Sequence, residues 1–241
     1  VRKHRAMQPI YVLIHSPLVG PATWEPVRVA LRRRGIQATV PALRDDPASG
    51  EPFWRQHVAS VVTALRGVPA GKPLVLVAHS GAGALLPALG AALARPVAAY
   101  VFVDAGIHED DLSRLEMMEV EATTFAATFR AHLDTGGRYP EWTDGQLEPL
   151  IPDDERRAAV LAEMRPRDRA FFTEPIPVPA GWPDAPCAYL QFSPSYDVPA
   201  ALARECGWPF RAIEGGHFLM LIDPETVADA IVALVAAACP E

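Results

Sequence analysis

The sequence predicts an α/β protein built on a mostly parallel central sheet flanked by helices. Short apolar runs, such as Ile10–Ile14 and residues 73–78, alternate along the chain with amphipathic segments of helical period. This alternation is typical of parallel strands joined by crossover helices. The chain has 241 residues, half of them apolar, which is enough to bury the core that such a sheet requires.

The predicted elements follow one another in a regular order. We expect strands at 10–14, 36–40, 73–78, 97–103, 187–192 and 209–213, and helices at 22–34, 53–66, 81–94, 198–206 and 224–238. Gly35 suits the position after a helix end, while Asp223 and Pro224 form an N-cap and first-turn pair. The helix at 81–94 is almost wholly apolar, so we expect it to be buried on all sides.

The segment 107–180 differs from the rest of the chain. It is acidic and helix-forming, and prolines interrupt it at positions 140, 152, 175 and 177. We interpret it as a helical cap insertion, with residues 1–106 and 181–241 forming the core domain. Its large apolar side chains either line a substrate pocket or only pack the cap onto the sheet; they are Met117, Met118, Phe125, Phe129 and Trp142.

The net charge argues against two classes of partner. The formal net charge of −7 argues against nucleic acid and against an anionic membrane surface, because both require a basic face. A basic run at residues 32–34 closes a predicted helix, where cations favour the helix dipole, so we assign it a structural role. The expected partner is a small-molecule substrate, and the sequence leaves the oligomeric state open.

The cysteines and the chain start bear on location. Cys187, Cys206 and Cys239 are odd in number and widely spaced, which fits neither a disulfide framework nor a zinc site. We therefore expect reduced thiols in a cytoplasmic protein, with no metal and no cofactor. Residues 1–7 are basic, but the apolar stretch that follows is too short for a signal peptide.

The stretch from Leu76 to Gly83 is the most informative in the chain. A predicted strand runs into Ala78-His79-Ser80-Gly81-Ala82, and an apolar helix follows at once. This is a variant of the G-x-S-x-G nucleophile elbow, in which a tight turn presents a serine hydroxyl beside a helix N-terminus. A serine that merely caps a buried helix is the alternative. We favour Ser80 as a nucleophile.

A histidine near the C-terminus supplies a matching base. His217 follows Gly215 and Gly216, between the last predicted strand and the last helix. A serine nucleophile requires a base within hydrogen-bond reach, and the chain order of serine followed by a late histidine is a known arrangement for such pairs. A surface histidine with no catalytic role is the alternative, and the elbow earlier in the chain argues against it.

A third motif makes a family resemblance specific. The segment from His15 to Trp24 follows the first strand, and together with the elbow and Gly215-Gly216-His217 it resembles the α/β-hydrolase superfamily. The absence of extra strands before His15 is similar to the hydroxynitrile lyase and methyl-ester esterase branch. Residues 165–172 also resemble the close of that branch's cap. The resemblance implies an α/β-hydrolase fold, with His15 and His79 in structural roles.

The triad acid departs from that branch. The position that aligns with the branch's acid, after the strand at 187–192, is Ser195, which cannot serve; Asp197 lies two residues further on. Asp104 directly follows a buried strand, where other superfamily members such as haloalkane dehalogenases carry the acid. A carboxylate there needs a buried partner, which His217 would supply. We favour Asp104 over Asp197, with a turn or N-cap role as the alternative for either.

The oxyanion hole departs as well. One donor is expected to be the N–H of Gly81, but the second should come from Pro17, which has no N–H. Leu18 N–H or the Ser16 hydroxyl are the replacements we consider. Loss of one donor typically costs ~10²–10³ in the rate of acyl transfer.

These motifs lead to one function and two alternatives. We expect a serine hydrolase that acts on an ester, thioester or lactone of a small to medium hydrophobic substrate, with Ser80, His217 and Asp104 as its triad. The first alternative is a lyase or eliminase that uses Ser80 and His217 as a general base without an acyl-enzyme; Pro17 favours it. The second, a non-catalytic ligand-binding protein, is disfavoured by the presence of both residues.

Overall fold

The structure is a computed structural model that describes residues 8–240. The chain start at residues 1–7, and the expectation about a signal peptide there, lie outside this range. Six strands form one sheet in the order β2-β1-β3-β4-β5-β6, and every neighbouring pair is parallel. The strands are β1 (Ile10–Ile14), β2 (Ala38–Thr39), β3 (Leu74–Ser80), β4 (Val97–Ala105), β5 (Cys187–Gln191) and β6 (Phe210–Ala212).

Helices cover both faces of the sheet, which confirms the α/β fold class. The helices are α1 (Glu25–Arg33), α2 (Phe53–Ala64), α3 (Leu86–Ala92), α4 (Arg114–Glu121), α5 (Thr123–Asp134), α6 (Asp144–Leu147), α7 (Asp154–Ala162), α8 (Arg169–Thr173), α9 (Asp197–Glu205), α10 (Leu219–Ile222) and α11 (Pro224–Ala238). Helices α1, α10 and α11 share one apolar core, and α2, α3 and α9 share the other.

The two faces of the sheet can be followed along β3. Val75 and Val77 belong to the core of α1 and α11, while Leu74, Leu76 and Ala78 belong to the core of α2 and α3. Successive side chains in a strand point to opposite faces, and here both faces are buried. This is why the strand is a continuous apolar run rather than an alternating one.

Several elements differ in length from the sequence prediction. The helix predicted at 81–94 begins as a 3-10 turn, Gly83–Leu85, and α3 proper starts at Leu86. Pro87 lies in the first turn of α3, where its missing N–H costs nothing. Strand β3 runs on to Ser80, which still pairs with Ala105 of β4. Strand β2 at the sheet edge keeps only two residues, Ala38 and Thr39.

The insertion between β4 and β5 contains helices α4 to α8, and we retain the interpretation of residues 107–180 as a cap. The Glu174 carboxylate joins it to the core. It accepts the backbone N–H groups of Phe53 and Trp54 at 2.7 and 3.0 Å, at the start of α2. It also pairs with Arg114 of α4 at 2.9 Å. A carboxylate is favoured at a helix N-terminus, because the free N–H groups and the dipole attract it.

The basic run at residues 32–34 contributes to helix packing. Arg33 lies 2.9 Å from Glu225 of α11, and Arg34 lies 2.6 Å from Asp229 of the same helix. These contacts bind the end of α1 to α11. The structural role assigned to the run is consistent with them.

The glycine that follows the elbow allows the turn after β3 to approach the end of β4 closely. A Cβ atom at Gly83 would lie 2.2 Å from the backbone carbonyl oxygen of Gly106. The contacted atom is backbone rather than the end of a flexible side chain, so a change of rotamer cannot relieve the clash. The turn after β3 therefore packs against the end of β4 only when a glycine occupies position 83.

We expect Gly83→Ala to lower the free energy of unfolding by about 1–3 kcal/mol, the usual cost of forcing an extra methyl into a packed core. Gly145→Ala is the matched control, because a Cβ atom at this exposed position in α6 would have no neighbour within 4 Å. That variant should be neutral or slightly stabilising, since alanine favours a helix over glycine. Urea unfolding measures both, and equal effects from the two would contradict the packing argument.

Candidate active site

Ser80 lies at the tip of the elbow in a strained conformation. It is the last residue of β3. Its φ of +57° is in the left-handed region, which residues other than glycine rarely adopt. Such a conformation typically costs about 1–3 kcal/mol and persists only where the surroundings enforce it. The strain turns the Ser80 side chain into a cavity at the carboxyl edge of the sheet.

Asp104 is fully buried at the end of the neighbouring strand, β4. It also has a positive φ, +43°. Its Oδ1 accepts the N–H groups of Phe192 and Ser193 at 2.9 and 3.0 Å. Its Oδ2 accepts the Ser193 hydroxyl and His217 Nδ1, both at 2.7 Å. Four donors therefore surround the two oxygens, which matches the acceptor capacity of a carboxylate.

His217 is oriented by its contacts on both the ring and the backbone. Nδ1 donates to Asp104, so in the neutral form of the imidazole Nε2 is the acceptor. The buried ring of His79 lies 4.3 Å away between centroids, and His79 Nε2 donates to the backbone oxygen of His217 at 3.0 Å. Burial lowers the pKa of His79 well below its ordinary value, so it stays a neutral, structural neighbour.

Tyr196 is a further residue at this site that the sequence reasoning missed. Its hydroxyl forms a hydrogen bond with Ser80 Oγ at 3.1 Å, and its ring stacks on His217 at 5.2 Å between centroids and 10° between planes. Within residues 8–240, Tyr196 rather than His217 is the side-chain hydrogen-bond partner of Ser80. Ser80 and His217 do line the same cavity. The only sequence signal was the position of Tyr196, next to Ser195.

The two acid candidates lie in different surroundings. Asp104 contacts His217 directly, as described above. Asp197 is exposed at the start of α9, and it accepts a hydrogen bond from Gln191 Nε2 at 2.6 Å. Ser195, at the position where the resembled branch carries its acid, lines the cavity beside Tyr196. The geometry therefore associates the histidine with the acid on β4.

The groups near the expected oxyanion site are Gly81, Ser16 and Leu18. A Cβ atom on Gly81 would lie 3.7 Å from Ser16 Oγ, so the serine hydroxyl is close to the Gly81 backbone. The N–H of Leu18 is directed to Ser16 Oγ at 3.4 Å rather than into open space. Since Ser16 accepts this bond, its own proton remains free for another acceptor. All three residues line the cavity.

A buried ionic network lies behind this loop. Arg167 of the cap forms a bidentate contact with Asp45, both distances being 2.6 Å, and donates to the backbone oxygen of Pro17 at 3.2 Å. His57 completes the network at 2.9 Å from Asp45. Burial alone would raise the pKa of Asp45, but the bonds from His57 and Arg167 outweigh it and hold that pKa well below its usual range.

His15 also has a structural environment. Its Nε2 accepts the N–H of Leu43 at 3.1 Å, and burial lowers its pKa to about 4. The ring is therefore neutral at physiological pH, and it joins the end of β1 to the loop that carries Asp45. This agrees with the structural role expected for His15.

The cavity above Ser80 has a volume of about 580 Å³. The five cap residues that the sequence suggested as pocket lining all line it: Met117, Met118, Phe125, Phe129 and Trp142. Phe171, Phe172 and Phe218 complete the aromatic wall. Phe129 also packs into a small core of the cap, so lining and packing are not exclusive. The site is mainly apolar, which is usual for a small-molecule pocket.

Glu121 places a carboxyl in this apolar cavity. It is the last residue of α4, where the helix dipole disfavours negative charge. Within residues 8–240 its carboxyl has no hydrogen bond or ion pair with another protein group. Its Oε1 would lie 3.6 Å from a Cβ on Gly106. Burial raises the pKa of Glu121 from 4.5 to about 7. An ionised Glu121 therefore destabilises the folded state.

We expect Glu121→Gln to stabilise the protein at pH 8 by on the order of 1 kcal/mol. At pH 4 the carboxyl is protonated in both the folded and the unfolded chain, so the variant should match the parent. The difference should grow as the pH rises from about 4.5 to about 7 and then level off, because the folded pKa lies above the unfolded one. Urea unfolding across this range measures it.

Glu148→Gln is the control for this prediction, because Glu148 is an exposed cap carboxyl outside the cavity. It should leave the pH dependence of unfolding unchanged. A Glu121→Gln effect of the same size at every pH would show that the charge of Glu121 is not its cause.

Residues 8–240 contain no cluster of three or more histidine, cysteine, aspartate or glutamate side chains arranged to hold a metal ion. Within the same range, every helix is too short or too polar to cross a bilayer. The three cysteines are unpaired, and Cys187 is buried while Cys206 is exposed.

Similar structures have been solved. An extracellular α/β-hydrolase from a Paenibacillus species has a TM-score of 0.75 at 17% identity, over 97% of this chain and all of the other. Polyneuridine aldehyde esterase has a TM-score of 0.71 at 16% identity, over 94% and 99% of the two chains. A methylesterase from Arabidopsis has a TM-score of 0.68 at 15% identity, over 95% and 99%. These similarities show the shared fold.

No curated protein matches the sequence significantly. A family model does match, over residues 11–230, and it describes the alpha/beta hydrolase family. That range includes the elbow, the strand that carries Asp104, and the loop of His217. The match covers far more than half of the chain, and the chain is therefore an enzyme that belongs to the alpha/beta hydrolase family.

Proposed function

We propose that this enzyme is a serine hydrolase that cleaves an ester, thioester or lactone of a small to medium hydrophobic substrate. The observation that carries the proposal is the contact of Asp104 with His217 Nδ1, at 2.7 Å, beside a strained serine in the same cavity. An acid that orients a neutral histidine toward a serine is the arrangement that activates a nucleophile.

In the proposed reaction, Ser80 Oγ attacks the substrate carbonyl carbon while His217 Nε2 takes the Ser80 proton. The carbonyl electron pair moves onto its oxygen. When the intermediate collapses, the bond to the leaving oxygen or sulfur breaks and His217 returns the proton to it. Water then repeats the sequence on the acyl-enzyme and regenerates Ser80. Asp104 stabilises the imidazolium in both halves without taking the proton.

We assign the oxyanion to Gly81 N–H and the Ser16 hydroxyl. The position of Ser16 Oγ near Gly81, and its bond from Leu18 N–H, support this choice over a direct contact from Leu18. A hydroxyl that already accepts one hydrogen bond donates its proton more readily to a developing negative charge. Ser16 would thereby compensate for the missing N–H of Pro17.

The lining of the cavity supports a hydrophobic substrate. Its volume of about 580 Å³ is within the usual range for small-molecule sites, and its walls are mainly apolar. Leu150 and Phe125 are partly exposed at the cavity, whereas Phe172 is fully buried in its wall. A bound acyl or alcohol group would gain about 25 cal/mol for each Å² of apolar surface removed from water.

We expect Asp104→Asn to lower kcat for a hydrolysed ester by ~10³–10⁴, because the imidazole loses both its orientation and its charge support. Asp197→Asn is the matched control. It removes an exposed carboxylate that contacts Gln191, so its kcat should remain within a few-fold of the parent. Steady-state kinetics measure both, with circular dichroism as the check on folding. The reverse pattern would transfer the acid role to Asp197.

One residue favours a second candidate function. Pro17 cannot donate to an oxyanion, and an elimination does not need to stabilise a tetrahedral intermediate. In that reaction Ser80 and His217 together act as the base that removes a proton from carbon. The bond to the leaving group then breaks and an alkene forms. The position of Ser16 argues for hydrolysis, because it offers a donor where Pro17 has none.

Products distinguish the two reactions. We expect a slow ester to leave an acyl group on Ser80, detected by intact-protein mass spectrometry, and Ser80→Ala to abolish the adduct. Hydrolysis in ¹⁸O-labelled water should introduce one label into the released acid. An alkene product, with no label in the acid and no adduct on Ser80, would replace hydrolysis with elimination.

A further inference from the structure

Tyr196 is placed in direct contact with the nucleophile by the segment after β5. It ends the 3-10 turn Pro194–Tyr196, and its hydroxyl reaches Ser80 Oγ at 3.1 Å. The parallel stacking on His217 fixes the ring plane. Within residues 8–240 the Tyr196 hydroxyl has no other hydrogen-bond partner. Its polar end is therefore directed at the reacting atoms alone.

Asp104 helps to fix the segment that carries Tyr196. It contacts His217 from the end of β4. Asp104 also accepts the N–H groups of Phe192 and Ser193, which fixes the segment where it leaves β5. Three residues later the segment presents Tyr196 to the site.

The Tyr196 hydroxyl keeps its proton at any ordinary working pH. Burial raises its pKa well above the usual value, and this exceeds the opposing effect of its bond to Ser80. The nearby carboxylates of Asp104 and Glu121 raise the pKa further. A phenol that remains protonated acts as a hydrogen-bond donor rather than as a base.

Strand order determines which side of the nucleophile Tyr196 occupies. The sheet places β3, with Ser80, between β1 on one side and β4 and β5 on the other. The proposed oxyanion donor Ser16 follows β1, while Tyr196 follows β5. Tyr196 therefore approaches Ser80 from the side opposite to Ser16, together with His217, which must reach the leaving group to protonate it.

We propose that Tyr196 is a further catalytic residue, whose hydroxyl donates a hydrogen bond to the leaving-group oxygen of an ester as its bond to the acyl carbon breaks. The inference rests on the proposed serine hydrolase function. In the resting site the Tyr196 hydroxyl is hydrogen-bonded to Ser80 Oγ, and it donates to the leaving oxygen once both oxygens are bonded to the same carbon. His217 supplies the proton that ends on the alcohol, and Tyr196 retains its own.

Two butyrate esters with the same acyl group test this role. The ethyl ester has a poor leaving group, and the 4-nitrophenyl ester has a good one that needs no donor. We expect Tyr196→Phe to lower kcat/KM by about 10- to 100-fold for the ethyl ester, the effect of one hydrogen bond to a group that gains negative charge. For the 4-nitrophenyl ester, kcat/KM should fall by less than about 3-fold, which corresponds to at most one weak neutral hydrogen bond.

The test compares the fold-decrease in kcat/KM between the two esters. An equal decrease for both would overturn the proposal, because it would place the donor on the oxyanion or give the residue a structural role. A gain in activity would also overturn it, since Tyr196 would then obstruct the serine. Tyr139→Phe is the control, because it removes a phenol that lines the same cavity but does not contact Ser80. It should change kcat/KM for both esters by the same factor.

Labelling with a fluorophosphonate separates this inference from the proposed function. Fluoride is a good leaving group, so Tyr196→Phe should label at nearly the parent rate if its fold and its nucleophile are intact. A labelled variant with equal losses on both esters would overturn the role of Tyr196 alone. Failure of the parent enzyme to form an acyl adduct or to cleave either ester would overturn the proposed function and this inference with it.

Discussion

The carboxylate of Asp104 is the group on which the site depends. Its four hydrogen bonds join the end of β4 to the segment after β5 and to the loop that carries His217. A buried charge is stable only when it is paired and hydrogen-bonded, so these partners and the acid require one another. One interaction therefore orients the proposed base and also directs the segment that presents Tyr196.

A second buried network performs the equivalent task on the other side of Ser80. Arg167 of the cap contacts both Asp45 and the carbonyl of Pro17, so the loop that would bind the oxyanion is fixed by the cap. Glu174 joins the same region of the cap to the start of α2. The insertion thus encloses the cavity and also supports the backbone around it.

Much of the fold could be predicted from the sequence because its signals are local. Apolar runs predicted the strands, and Asp223 with Pro224 predicted the start of α11. Tyr196 could not be predicted, since its contact with Ser80 depends on the strand order that brings the segment after β5 to the nucleophile. The hydrogen bond from Leu18 N–H to Ser16 could not be predicted either, because it depends on the conformation of one loop.

The sequence by itself determined the fold class, the elbow at Ser80, the late histidine, and a short set of possible acids. It favoured Asp104 over Asp197, because Asp104 directly follows a buried strand, but it kept both as candidates. The tertiary structure distinguished their surroundings: it buries Asp104 against His217 and leaves Asp197 exposed beside Gln191. The physical reason is that hydrogen bonds between distant segments depend on how strands are ordered in the sheet, which local periodicity does not encode.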